Sequence, residues 1–182
     1  MRPRHRHCLA WDICRFTGRD VAAQSGVRNE MFTMIEGVCA DLGIQRREGV
    51  HDDRGDGLTI VTKSPIEVLA LDLPRQLGDA VRRYNLAVGP DRRMQLRQAM
   101  DAGYVHKDKK GYTGDPINKA ARLLDAPDFK DRMRDEGAEF AVIVSAELCD
   151  AIQGFQLLDE RKIQKVEVAV KSVHTTAFMW IP

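Results

Sequence analysis

Three groups of residues in this 182-residue chain have the types and spacing that phosphate and metal chemistry needs. Asp12 closes an otherwise apolar run, Cys8 to Cys14, and leads into the loop Ile13-Cys14-Arg15-Phe16-Thr17-Gly18. A carboxylate buried there is costly unless a metal, a cation or solvent meets it. Taken alone, the fragment is better accounted for by a strand-terminal Asp capping its own loop. Asp56 stands between Gly55 and Gly57, where glycine permits positive φ and close approach of a ligand to the backbone. Asp-Gly is also a common hairpin turn, so the interest lies in the pair. Two carboxylates on adjacent strand ends can hold Mg²⁺, which takes one or two oxygens from a protein and the rest from phosphate and water. Asn118 and Arg122, four residues apart, share one face of a helix. An amide and a guanidinium aimed together suit a phosphoryl transition state, because Arg grips its oxygens in a bidentate fork. In isolation the same spacing also describes a solvated polar face.

The elements that must position these groups follow from apolar spacing. Cys8 to Cys14 reads as a short buried strand ending in a loop. Val27 to Leu42 places Val27, Met31, Met34 or Ile35, Val38 and Leu42 at helical intervals, with Gly43 as the C-terminal cap. Residues 44–62 read as a hairpin, a polar strand and then Leu58–Thr62, with its carboxylates at the Gly/Asp turn. Residues 65–87 have helical spacing that Pro74 must break or kink, giving one helix or two. Met94 to Ala102 alternates as a strand, and 103–112 is a second hairpin. Gly114-Asp115-Pro116 opens a polar helix running to about Gly137, with Asp as N-cap and Pro at the first helical position. A strand at Phe140–Val144, a short helix from Ser145 and strands at 164–171 and 176–181 complete the chain. The alternation predicts an α+β fold of the ferredoxin-like βαββαβ type, with helices on one face of a mixed sheet.

Composition narrows the function classes. Twenty-eight Lys and Arg against 27 Asp and Glu leave a formal charge of +1, so no surface for wrapping nucleic acid is indicated. Hydrophobic residues at 43% and charged residues at 30% suit one globular domain over 1–182, with residues 1–6 as a basic mobile tail. Cysteines at 8, 14, 39 and 149 show neither metal-site nor disulfide spacing and read as thiols in a reducing cytoplasm. The basic start is followed by too short an apolar stretch for a signal peptide, and no window approaches a membrane span.

Taken in this order, the three groups resemble the class III nucleotidyl cyclase catalytic domain, the adenylyl and guanylyl cyclase family. Asp12-Ile-Cys-Arg-Phe-Thr17 resembles its D-I-x-x-F-T strand end, and Gly55-Asp56-Gly57 its metal-binding hairpin. Gly114-Asp-Pro-Ile-Asn-Lys-Ala-Ala-Arg-Leu123 resembles its G-D-x-V-N-x-A-A-R-L helix. Lys171 resembles its triphosphate-binding lysine, with Ser172 where glycine is usual. The resemblance spans about residues 7 to 181.

The resemblance implies a nucleoside triphosphate substrate cyclised to a 3′,5′-cyclic nucleotide and pyrophosphate by two Mg²⁺ or Mn²⁺ ions. It assigns Asp12, Asp56 and the Ile13 carbonyl to the metals, and Phe16, Thr17 and Lys171 to the triphosphate. Asn118 would orient the ribose, and Arg122 would stabilise the α-phosphate. It also implies a homodimer whose two sites each draw the carboxylates from one subunit and the Asn/Arg helix from the other. Base selection falls on Asp52 and on Gly111, or on Thr113 if the loop is offset. A carboxylate at Asp52 accepts from guanine N1–H or the cytosine amino group and gives nothing to adenine N1. No sensor segment is recognisable, so regulation is expected from a separate protein, from concentration-dependent dimerisation, or from a neighbour in a signalling or defence system, with a cyclic-nucleotide effector downstream. The competing expectation is a catalytically silent cyclase-like domain that binds nucleotide or a partner.

Overall fold

The computed structural model describes residues 2–44, 55–109, 111–170 and 173–182. Strand β1 (Arg4–Ile13) is flanked by two antiparallel partners, β2 (Gly57–Thr62) and β3 (Leu96–Lys107). Beyond β3 come β5 (Phe140–Ser145), β7 (Val173–Trp180) and β6 (Gln164–Val170), in the spatial order β2-β1-β3-β5-β7-β6. The two-residue β4 (Tyr112–Thr113) pairs only with the end of β3. β3 and β5 run parallel and the other neighbours antiparallel, which makes the sheet mixed, as expected.

Strand alternation divides the sheet into two faces. Leu9, Trp11 and Ile13 point to one, where they pack with α1 (Val21–Asp41), α2 (Leu73–Ala87) and α5 (Ala146–Gly154). Ala10, Ala99, Ala141 and Ala177 point to the other, beneath α3 (Asp115–Leu124) and α4 (Pro127–Asp135). Helices therefore cover both faces, a correction to the one-faced arrangement expected. The buried stripe of α3 is Pro116, Ala120, Leu123 and Leu124, and such a stripe does not by itself say which face of a sheet it meets. Small residues beneath α3 let it sit close to the strands; enlarging Ala10 or Ala99, both fully or almost fully buried, would force it outward.

Local differences have local causes. Arg4, His5 and Arg6 belong to β1 and pair with Val105, Tyr104 and Gly103, so they are not a mobile tail. Backbone pairing there needs no buried side chains, and apolar alternation is silent about such a strand end. α1 begins at Val21, capped by Asp20, whose Oδ1 accepts the Ala23 N–H at 2.7 Å. Its first turns bury no apolar stripe and so left no periodic signal. The interruption expected at Pro74 is present: a π-turn over Val68–Asp72, with the Leu73 amide donating to the Val68 carbonyl, leads into α2, and Pro74 stands in its first turn. The 114–137 segment is two helices, not one, separated at Asp125-Ala126 and restarted by Pro127. The polar strand expected from residue 44 lies mostly outside the described residues. Cys8, Cys14 and Cys149 are free thiols, and Cys8, Cys39 and Cys149 are buried. Among the described residues no helix is long and apolar enough to cross a membrane.

Candidate active site

Asp12 is the penultimate residue of β1, on the α3/α4 face, opposite Gly57 in β2 and Arg97 in β3. Gly57 is what brings Asp56 near it: a Cβ there would lie 2.7 Å from the Trp11 carbonyl oxygen. No side chain fits at that approach. The Ile13 amide donates to the Asp56 carbonyl at 3.0 Å, pinning the turn to the strand end. Asp12 and Asp56 consequently line one cleft of about 210 Å³, which Thr59, Ala121 and Asp125 help to enclose.

Arg97 completes this end of the sheet, and motif reading had passed over it. Its Nε donates to Asp12 Oδ1 at 2.7 Å and its Nη2 to Oδ2 at 2.6 Å, a bidentate pair almost closed to solvent. A cation in the inward phase of an alternating strand was the available signal. Burial is the larger influence on the Asp12 carboxyl and pushes it up to about 6, although the Arg97 guanidinium pulls the other way.

The loop after β1 turns on Arg15, whose φ of 54° is unusual for a side-chain-bearing residue. Such a turn directs successive amides toward one side, the backbone arrangement that cradles anions. Phe16 packs against the main core, while Thr17 is exposed.

Asn118 and Arg122 lie on the exposed side of α3, and among the described residues neither side chain forms a hydrogen bond or ion pair. Arg122 lines a different cleft, about 240 Å³, with Asp115, Lys119, Leu123, Val168 and Thr175. The fold thus brings Asp12 and Asp56 together, but within one chain it keeps Arg122 out of their cleft. Gly111 sits in the β3–β4 turn with φ 139°, its amide donating to Asp108 Oδ1 at 2.9 Å. Thr113 is exposed on β4, opposite His106. Asp52 and Lys171 lie outside the described residues.

Among the described residues, no cluster of three or more His, Cys, Asp or Glu side chains is arranged to hold a metal. Asp12 and Asp56 nevertheless fit a hard divalent cation of the Mg²⁺ type, whose remaining ligands come from phosphate and water.

No family model and no curated protein matches the sequence. Solved structures do match. An adenylate/guanylate cyclase/hydrolase from Silicibacter pomeroyi superposes with a TM-score of 0.70 at 18% identity, covering 100% of this chain and 98% of that one. The chain adopts the class III cyclase catalytic-domain fold. The guanylyl cyclase Cya2 matches with a TM-score of 0.65 at 17% identity over 98% of this chain and 91% of that one. The GTP-bound guanylate cyclase domain of RhGC from Catenaria anguillulae gives 0.66 at 14% identity, over 99% and 98%. These likenesses extend over nearly the whole of this chain and more than nine-tenths of each of those chains.

Proposed function

We propose that this chain is a nucleotidyl cyclase acting as a homodimer with two shared sites. The observation that carries the reading is the placement of Asp12 and Asp56 on one cleft, made possible by the side-chain-free approach of Gly57 to Trp11. The exposed Asn118 and Arg122 support the shared arrangement, since they fall outside that cleft and are free to enter a second subunit's.

In the reaction, the substrate's O3′ forms a bond to its own α-phosphorus. The α-phosphorus bond to the bridging oxygen breaks, pyrophosphate leaves with that electron pair, and the hydroxyl proton passes to water. Bound Mg²⁺ or Mn²⁺ would supply Lewis acidity to the attacking hydroxyl and to the leaving phosphates. Asp12, Asp56 and the Ile13 carbonyl hold the cations. Amides of residues 15–18, including those of Phe16 and Thr17, bind phosphate oxygens, and Lys171 adds a point charge; the Cys14 amide is taken by the Gln95 carbonyl. Asn118 fixes the ribose, and Arg122 meets the charge that develops on the α-phosphate. Asp52 selects the base, with Gly111 or Thr113 bordering it. The free thiols of Cys8, Cys14 and Cys149 support a cytoplasmic setting.

A second reading has one observation in its favour: Arg97 already occupies both oxygens of Asp12, as it would in a silent nucleotide-binding domain. Incubation with Mn²⁺ and each of ATP, GTP, CTP and UTP, following cyclic product by mass and pyrophosphate in parallel, decides between them. Product from any base establishes the cyclase. Nucleotide binding by a folded dimer without turnover establishes the silent domain.

A further inference from the structure

A second cleft opens beside the first, on the loop side of the Asp12–Arg97 pair. It has a volume of about 310 Å³ and is walled by four cations, Arg15, Arg97, Lys130 and Arg134, over Cys14 and Met133. No acidic side chain among the described residues lines it. The loop and α4 meet here, with Cys14 Sγ 4.0 Å from Met133 Sδ, while the Cys14 amide is anchored to the Gln95 carbonyl at 2.9 Å.

We propose that this cleft holds the terminal phosphates of the substrate, and then the released pyrophosphate, with Lys130 and Arg134 of α4 as phosphate ligands. The inference rests on the cyclase reading and adds to it a second basic wall, borne by the same subunit as Asp12. A polyphosphate carries several adjacent negative charges, and guanidinium and ammonium groups on opposing walls match that distribution. Arg97 stands between the two clefts. Two of its nitrogens hold Asp12, and its side chain also lines the basic cleft, so the carboxylate end and the phosphate end of the site share one cation.

The α4 cations are available for this role. Lys130 bonds Asp125 at 3.1 Å, and Arg134 bonds Asp131 at 2.8 Å and Asp135 at 3.2 Å. All of these pairs are substantially exposed, and exposed pairs hold their members weakly. An arriving polyphosphate therefore competes with them at little cost. Their acids also explain why the helix carries such charge without repelling itself in the free protein.

The test is calorimetric titration of the full-length protein with inorganic tripolyphosphate and with pyrophosphate, with and without Mn²⁺. Wild type is compared with Lys130→Gln, Arg134→Gln and the double variant. Both positions are solvent-facing, so unchanged melting curves will show that the fold survives. The double variant should bind tripolyphosphate about tenfold or more weakly, with pyrophosphate inhibition weakened by a similar factor. Binding of a nucleoside monophosphate should change less than twofold. Lys130→Arg should retain tripolyphosphate affinity, and Asp125→Asn, which frees Lys130, should not weaken it. Unchanged tripolyphosphate affinity in the double variant overturns the assignment, as does an equal loss of monophosphate binding. Because tripolyphosphate binding needs no turnover, the two readings separate. If wild type cyclises nothing while the variants still lose tripolyphosphate, the cleft stands and the cyclase reading falls.

Discussion

Asp12 and Arg97 face one another across β1 and β3 and are joined by two hydrogen bonds, at 2.7 and 2.6 Å. Their side chains are 17% and 9% exposed, so neither charge can rely on water for its solvation. The pair makes the candidate metal carboxylate part of the folded structure as well as part of the site.

Removing one member of such a pair strands the other. Arg97→Gln is expected to cost about 3 kcal/mol at pH 7, the low end for breaking a buried ion pair, because Asp12 keeps some exposure. At pH 5 the cost should be smaller, since Asp12 can then accept a proton. Urea unfolding at the two pH values checks this, and equal losses would contradict it.

Asp12 also gives the wild type a signed pH dependence. Its folded-state carboxyl stands at about 6 against an ordinary 3.8, so the folded state binds the proton more tightly. The associated stability is complete below about pH 4 and is lost as the pH rises through about 6. Asp12→Asn should flatten the unfolding free energy of the protein across that window. A variant with the wild-type slope would assign the titration to another group.

Asp56→Ala and Arg122→Ala should each leave the melting temperature nearly unchanged, since both side chains reach solvent. Each should lower kcat by roughly a hundredfold or more, with Arg122→Ala changing KM little because its contact strengthens in the transition state. If the sites are shared, an equal mixture of the two variants forms hybrid dimers with one intact site. Activity should then recover to about a quarter of wild type after subunit exchange. A mixture as inactive as its components would place the whole site within one chain.

Gly57→Ala tests how the two carboxylates are brought together. Its Cβ would lie 2.7 Å from the Trp11 carbonyl oxygen, so β2 must shift away from β1. A loss of about 1–3 kcal/mol is expected from such crowding. Mn²⁺ affinity, read by electron paramagnetic resonance of the free ion, should fall with it. Retained affinity at reduced stability would separate the turn from metal binding.

Base choice can be tested by Asp52→Lys, which exchanges an acceptor for a donor. A changed order of rates among the four triphosphates is the expected result. An unchanged order would remove Asp52 from the specificity argument.

The sequence by itself determined the element types wherever an element buries a periodic stripe: the core-facing part of α1 and the run of β5 were legible, and the start of α3 was placed within one residue, with Gly114 rather than Asp115 as the cap and Pro116 second in the helix. It also supplied the candidate residues, because Asp12, Gly55-Asp56-Gly57 and the Asn118/Arg122 spacing are local patterns. Elements whose backbone pairs without burying side chains were not legible, as with Arg4–Arg6 in β1 and the first turns of α1. The interruption at Pro74 was legible but its form was not, a π-turn over Val68–Asp72 that leads directly into α2. Only the tertiary structure decided that helices cover both sheet faces, that Arg97 closes on Asp12, and that Arg15, Lys130 and Arg134 converge on one cleft. Asp12 and Arg97 lie 85 positions apart, and the basic cleft joins Arg15 of the loop after β1 to Arg97 of β3 and to Lys130 and Arg134 of α4. Such relationships are set by strand register and by which face each helix meets, quantities that no short window of sequence encodes.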